Sequence, residues 1–232
     1  YQIRSILQTG KDYRGSNSPF YFRSFNTDRT PIPVLISAVF SPLFNSPEFK
    51  IRGGTALVGV LVVLLAMLIT FNLTKSKLAS LITGLVFAFS PWQVHFSRIA
   101  FEAEHLLLFL LTFIYLLFSW FQTKSLRFFY FSALVLGLSI YTYRTMSFLA
   151  PVFLILTPLY FGKEFFQLGI KKSLIWLFLG LAFMVPFLYA TTIGSKDQTR
   201  INQISIFSDT MVPIEVQRSR ELVSGNFQNP TL

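Results

Sequence analysis

Residues 53–74, GGTALVGVLVVLLAMLITFNLT, contain no charged side chain, and this stretch decides the fold class. A helix of that length is about 33 Å long, which matches the roughly 30 Å hydrocarbon core of a bilayer. The composition agrees, because 53% of the 232 residues are hydrophobic and only 13% are charged. A soluble domain carries about twice that charged share. The sequence therefore predicts an all-α integral membrane protein.

Charge-free segments of this kind recur along the chain and predict about six transmembrane helices. They are residues 53–74, 78–97, 106–123, 128–143, 145–162 and 173–195. The two segments that flank Arg144 are short for a bilayer. They either span it with local thinning or merge into one kinked or re-entrant element.

Cations in the short connections predict the orientation of these helices. Every second connection is rich in Lys or Arg: Lys75, Lys77, Lys124, Arg127, Lys163, Lys171 and Lys172. The cations of the intervening connections are Arg98 and Arg144. Because cytoplasmic loops carry the excess of Lys and Arg, the Lys-rich loops are predicted to be cytoplasmic and both chain ends to face outward.

Residues 1–50 are predicted to form an outer-face loop that bears interfacial helices. A short helix is expected to end with Gly10 as its C-cap, and an extended strand or coil to follow it. The Thr-Pro and Ser-Pro pairs at 30–31 and 46–47 each predict an N-cap with Pro at the first helical position. The first pair would begin an amphipathic helix over about 31–44, and the second a helix that enters the first span.

Three regions follow from this pattern: the outer loop 1–50, a six-span module 51–195 and residues 196–232, the start of a second outer-face segment. The chain lacks an initiator Met and stops in a polar stretch without a cap. We therefore expect a fragment of a longer protein, with its second outer segment truncated.

The net charge of +10 does not indicate nucleic-acid binding. The cations are divided between the loops and the outer segments rather than gathered on one basic face. Membrane lipids and lipid phosphates are the predicted partners. The chain has no Cys, so no disulfide holds the outer segments.

Ionisable residues collect at the predicted outer ends of the helices. They are Asp12, Asp28, Arg29, Arg52, His95, Arg98, Glu102, Glu104, His105 and Arg144. No charge lies near the centre of a charge-free segment, which argues against a proton-coupled transporter. The pattern favours binding or chemistry at the outer membrane surface.

Residues 90–105, SPWQVHFSRIAFEAEH, hold half of that set. If this stretch is helical throughout, His95, Arg98, Glu102 and His105 share one face. A helix cap with an Arg98–Glu102 pair and an interfacial aromatic belt would explain the same residues without a binding site.

Tyr143 and Arg144 present a similar choice. An aromatic belt with a snorkelling Arg is one interpretation, and a phosphate-binding corner is the other. His95 and His105 lack the Cys or close His partner that a zinc site requires, so no metal site is predicted.

The strings TGKDYRG, PFYFRSF, DRTP, PEFKIRG, SPWQVHFSRIAFEAE, YTYR and ISIFSD follow one another along the chain. In this order and spacing they resemble bacterial membrane glycosyltransferases of the GT-C superfamily. The resemblance is to protein O-mannosyltransferase-like and aminoarabinose-transferase-like enzymes, and it extends over essentially the whole chain.

The resemblance implies transfer of a sugar, with inversion, from a polyprenyl-phosphate carrier to a protein, lipid or glycan acceptor. The site would face outward from a bacterial or archaeal plasma membrane. Such a step requires a carboxylate base and cations that stabilise the leaving phosphate. The family's catalytic Asp or Glu would fall before Tyr1, so the catalytic residue of this chain is unknown. No cofactor is implied, and the use of a divalent metal stays open.

The same resemblance supplies roles for the outward residues. The family's Lys-Pro-Pro stretch corresponds to Arg29, Thr30 and Pro31, with Arg in place of Lys and Thr in place of the first Pro. The implied contacts to phosphate or sugar are Arg29, Arg98, Glu102 and Arg144. The implied loop or acceptor-site residues are Asp12, Asp28, Tyr143 and His95.

Two other functions remain open on the sequence. A lipid-sugar flippase would need a polar path through the bilayer, which the charge-free segments do not provide. A non-catalytic membrane scaffold would use the outward charges only as caps and belts.

Overall fold

The computed structural model describes residues 2–11, 15, 22–24 and 27–192, and most of them are helical. Tyr1–Leu188 form one compact unit and Tyr189–Leu232 a second. Of the second unit, residues 189–192 are described, as the end of the last helix. The predicted second outer segment, 196–232, lies outside the described residues.

The outer segment begins as the sequence predicts. Helix α1 (Gln2–Thr9) ends at Gly10, which has a φ of +69° and donates its backbone N–H to the Ile6 carbonyl at 2.9 Å. Strands β1 (Phe22–Ser24) and β2 (Thr27–Arg29) then form a short antiparallel hairpin. The hairpin leads directly into the next helix.

The two predicted helix starts at Ser/Thr-Pro pairs are both present. Helix α2 (Pro31–Phe40) continues into a single 3-10 turn (Ser41–Leu43), close to the predicted 31–44. Helix α3 (Pro47–Thr74) follows without a break into the first span, and the Ser46 side chain accepts the Phe49 N–H at 3.3 Å as an N-cap. The Thr30 side chain makes no cap hydrogen bond, because its hydroxyl donates to the Thr142 carbonyl instead.

Apart from the short α9, which contains Lys163 and Glu164, the remaining helices follow the charge-free segments. They are α4 (Lys77–Phe89), α5 (Pro91–Arg98), α6 (Glu102–Thr123), α7 (Leu126–Ser139), α8 (Met146–Tyr160), α9 (Gly162–Leu168) and α10 (Ile170–Thr192). Among the described residues, three helices are long and apolar enough to cross a membrane, or four if the bent pair α4–α5 is one span. The fold is an all-α membrane protein, as predicted, although three to four of its described helices rather than six meet these criteria for a span. The described residues add one small hairpin.

The second charge-free segment is broken. Helices α4 and α5 meet at an angle of 56°, where Pro91 follows Ser90. Proline removes a backbone donor and excludes the preceding residue from helical geometry, so the helix ends and restarts there. A second break separates α5 from α6, where Ala100 has a φ of +56°.

The short segments around Arg144 form two separate helices, α7 and α8, rather than one continuous kinked helix. The turn between them contacts the outer segment, since the Ile32 N–H donates to the Tyr141 carbonyl at 3.2 Å. The start of α2, the start of α6 and the α7–α8 turn therefore lie at the same end of the bundle. We call this the site end, and the opposite end, with Lys75 and Lys124, the Lys-rich end.

Aromatic rings fill the core near the Lys-rich end. Trp120, Phe129, Phe165 and Trp176 are buried, with neighbouring centroids 4.7–5.9 Å apart. The indole N–H of Trp176 donates to the Ser132 hydroxyl at 3.0 Å. Because lipid is as apolar as these rings, close packing and hydrogen bonds rather than escape from water hold the helices together.

Close packing is most demanding where α7 crosses α10. A Cβ at Gly137 would lie 2.8 Å from the Gly180 carbonyl oxygen, and backbone cannot move aside as a side chain can. Gly137→Ala should therefore lower the free energy of unfolding by about 1–2 kcal/mol, despite the better helix propensity of Ala. Thermal unfolding of the purified protein in detergent measures this.

Gly162→Ala is the matched control, because a Cβ there meets no atom within 4 Å. Equal melting temperatures for the two variants would contradict the close α7–α10 crossing.

Candidate functional site

The first turn of α6 carries the charges around which the site is built. Phe101 precedes the helix with extended backbone angles and makes no side-chain cap. The first-turn N–H groups of a helix lack intrahelical partners, and carboxylates near them are favoured by the helix dipole. Glu102 and Glu104 occupy this turn.

Glu102 holds the end of the outer hairpin. Its Oε1 lies 3.3 Å from Nη1 of Arg29, and its Oε2 lies 3.4 Å from the hydroxyl of Thr30. The Arg29 side chain is 53% exposed and that of Glu102 17%, so solvent screens the ion pair. Such an ion pair stabilises the folded protein by less than about 1 kcal/mol. Its main effect is to orient the two side chains.

Thr30 ties the hairpin to a third element. Its hydroxyl donates to the Thr142 carbonyl at 2.7 Å in a buried position. A hydroxyl has one hydrogen to give, so this shorter contact is the main bond and the one to Glu102 is secondary. Together with the bond from Ile32 to Tyr141, it fixes the outer segment to the α7–α8 turn.

A row of aromatic rings joins α5 to the same turn. Centroid distances are 4.3 Å for Trp92–Phe96, 4.9 Å for Phe96–Phe101 and 5.8 Å for Phe101–Tyr143. His95 packs against Phe96 with centroids 5.6 Å apart. Both His95 and Tyr143 thus lie at the site end, where His95 packs against Phe96 and Tyr143 against Phe101.

Arg98 and Arg144 are two cations at this end that lie beside the aromatic row. Arg98 is the exposed last residue of α5, and Arg144 is partly exposed in the α7–α8 turn. Within the described residues neither guanidinium has an ion pair or a hydrogen bond. The site end therefore presents positive charge that the described part of the chain does not neutralise.

The single face that a continuous helix over residues 90–105 would give is not formed. The chain leaves the helix between Arg98 and Glu102, where Ala100 adopts left-handed geometry. As a result His95 and Arg98 are exposed on α5, whereas His105 is completely buried in α6. Glu102 is brought to Arg29 of the hairpin instead.

Sequence reasoning counted Glu104 among the outward ionisable residues but gave it no role, and it missed Gln93 and Gly59. Glu104 is 2% exposed and accepts a hydrogen bond from the Gln93 side chain, which also donates to the Gly59 carbonyl at 3.3 Å. The available signal was a carboxylate within an otherwise apolar run, two residues after Glu102.

The remaining predicted residues are only partly described. Asp12 lies outside the described residues. Asp28 is opposite Arg23 in the β-hairpin register, and its side chain is outside the description. In the part of the chain that the structure describes, no three His, Asp or Glu side chains converge as metal ligands would.

An apolar groove of about 660 Å³ lies between α6 and α8, nearer the Lys-rich end. Its lining runs from Phe113 and Phe153 to Phe121 and Phe161 and includes no charged residue. Phe113 is eleven residues beyond Glu102 on α6, or roughly 16 Å along the helix. The groove can hold hydrocarbon, but it is separate from the charged site.

The family model described as dolichyl-phosphate-mannose-protein mannosyltransferase matches residues 28–190. The matched range includes Arg29, Arg98, Glu102 and Arg144. Neither a curated protein nor a solved structure matches the chain.

The buried Thr30 hydroxyl should control how firmly the outer segment is held. Thr30→Val keeps the shape but removes the donor to Thr142, a loss of about 1 kcal/mol. Hydrogen–deuterium exchange at the Ile32 amide, which bonds to Tyr141, should accelerate severalfold. Thr30→Ser keeps the hydroxyl and should exchange like the unmodified protein, and unchanged exchange in Thr30→Val would contradict the attachment.

Proposed function

The chain belongs to the dolichyl-phosphate-mannose-protein mannosyltransferase family of GT-C membrane glycosyltransferases, and on that basis we propose that it uses a polyprenyl-phosphate sugar as donor. The acceptor is a protein, lipid or glycan on the outer side of the membrane. In this reaction an acceptor oxygen attacks the anomeric carbon, the bond from that carbon to the phosphate oxygen breaks, and the carrier phosphate leaves with the bonding electrons.

The observation that carries the proposal is the pair of unneutralised guanidiniums at the site end. A leaving lipid phosphate gains negative charge, and a planar guanidinium can offer it two parallel hydrogen bonds. Arg98 and Arg144 lie on the two elements that the Phe96–Phe101–Tyr143 row packs together. We assign these two residues to the donor phosphate.

Arg29 and Glu102 are assigned a different role. Their ion pair leaves each able to bond further, since Arg has five N–H donors and a carboxylate several acceptor positions. Glu102 orients Arg29 toward the donor and can accept a hydrogen bond from a hydroxyl group of the sugar. Because Glu102 is bonded to Arg29 and Glu104 to Gln93, neither is favoured as the base.

The cation asymmetry supports an outward-facing site. Lys75 and Lys124 follow the ends of α3 and α6. These two helix ends lie side by side, since the Gln122 side chain donates to the Asn72 carbonyl at 3.2 Å. The short loops at the Lys-rich end hold more Lys and Arg than those at the site end. Because the loops with the excess of Lys and Arg stay in the cytoplasm, the end with Glu102 would face out.

Cysteine labelling tests this orientation. The chain has no Cys, so Thr145→Cys and Lys163→Cys can each be introduced into a cysteine-free full-length protein. A membrane-impermeant maleimide applied to intact cells should label Thr145→Cys only. Lys163→Cys should react after permeabilisation, and the reverse pattern would contradict the outward-facing site.

Charge removal tests the phosphate contacts. In the full-length enzyme, Arg98→Gln or Arg144→Gln should lower kcat/KM for a polyprenyl-phosphate sugar by about 10²–10³-fold, the usual effect of losing one preorganised charge-stabilising donor. Insertion and thermal stability should be unchanged.

Arg127→Gln at the Lys-rich end is the matched control and should transfer sugar normally. Normal turnover by both site variants would contradict the assignment. Carrier movement across vesicles without sugar transfer would instead favour a flippase.

A further inference from the structure

Helix α5 is held against its neighbours by its polar side. Gln93 and Ser97 face α3, and Gln93 is only 5% exposed. Trp92 is 67% exposed, and His95 and Arg98 are exposed on the other sides. The side of α5 that packs on α3 thus carries polar residues, so hydrogen bonds contribute to fixing its position.

The hydrogen bonds converge on the Gln93 side-chain amide. It donates to the Gly59 carbonyl of α3 at 3.3 Å and to the Glu104 carboxylate of α6. A buried carboxylate is costly unless its hydrogen bonds are made, and well-packed apolar residues often stabilise such a position more. Stability alone therefore does not account for a carboxylate at position 104.

Gly59 sets the distance between α3 and α5. A Cβ at this position would lie 2.8 Å from the Cβ of Ser97 and 3.4 Å from Oε1 of Glu104. The absence of a side chain at 59 therefore lets α5 approach closely enough for Gln93 to reach both acceptors. Any larger residue must displace α5.

We propose that Glu104, Gln93 and Gly59 position α5, so that Arg98 and His95 stand at a set distance from Glu102. Glu102 and Glu104 belong to the same first turn of α6. The first fixes the outer hairpin and the second fixes α5, so one helical turn aligns both sides of the site. Glu104 is accordingly a positioning residue, and this role rests on the proposed function of Arg98 as a phosphate contact.

Gly59→Ala in the full-length enzyme tests the positioning without removing a charge. Displacing Arg98 by about 1 Å should lower kcat/KM by roughly 10- to 100-fold, with the larger change in KM for the donor. Adding Ser97→Gly removes the atom that the new methyl group meets, so the double variant should recover most of the activity. Gly84→Ala, which meets only the flexible Met67 side chain, is the matched control.

Glu104→Gln and Glu104→Ala separate positioning from chemistry. The Gln variant keeps an oxygen that can accept from Gln93 and should retain most of the transfer, whereas Ala removes the acceptor and should behave like Gly59→Ala. Equal loss in both variants would mean that the charge itself is required and would overturn the positioning role. Full activity of Gly59→Ala, or no recovery with Ser97→Gly, would overturn it too.

A distance measurement keeps this test independent of the proposed reaction. Spin labels at Val94→Cys on α5 and Arg127→Cys on α7 report the position of α5 in a cysteine-free background. Gly59→Ala should shift their distance distribution and Ser97→Gly should restore it, whether or not any sugar is transferred. An unchanged distribution would overturn the inference, while a shift in a protein that transfers no sugar would count against the proposed function alone.

Discussion

Glu102 is the carboxylate that links the outer segment to the start of α6. The chain has no disulfide to do this. Among the described residues, the bonds from Thr30 to Thr142 and from Ile32 to Tyr141 hold the same segment to the α7–α8 turn. The carboxylate reaches Arg29 and Thr30 because α6 begins at residue 102, after the left-handed turn at Ala100. The geometry of the site therefore depends on where one helix starts.

The other helices hold the start of α6 in place through contacts that remain stabilising inside a lipid bilayer. Apolar surface gains little when it leaves lipid for protein, so close backbone approach and hydrogen bonds decide which helices meet. Gly59 and Gly137 supply the close approach. At the site end the Tyr141 hydroxyl donates to the Phe183 carbonyl at 2.9 Å, three residues before Pro186 within α10. Such bonds fix the α7–α8 turn, and with it Tyr143 and Arg144.

The sequence predicts local features well and tertiary ones poorly. Charge-free runs give the helices because a membrane span must be apolar, and Gly10 and Ser46 act as caps because capping is decided within four residues. The break at Ala100 has no Gly or Pro to indicate it, so the sequence did not exclude a continuous helix there. Thr30 was expected to cap α2, but its hydroxyl bonds to Thr142, 112 positions away. Local spacing cannot indicate such a partner, and for the same reason Gln93 was missed and Glu104 was given no role.

The most direct test of the central claim is a cryo-electron microscopy structure of the full-length protein with a bound polyprenyl phosphate. The account predicts that the phosphate lies at the site end, within hydrogen-bonding distance of Arg98 or Arg144, with Glu102 still bonded to Arg29. A phosphate bound at the Lys-rich end beside Lys75 and Lys124, with both site guanidiniums unoccupied, would contradict it.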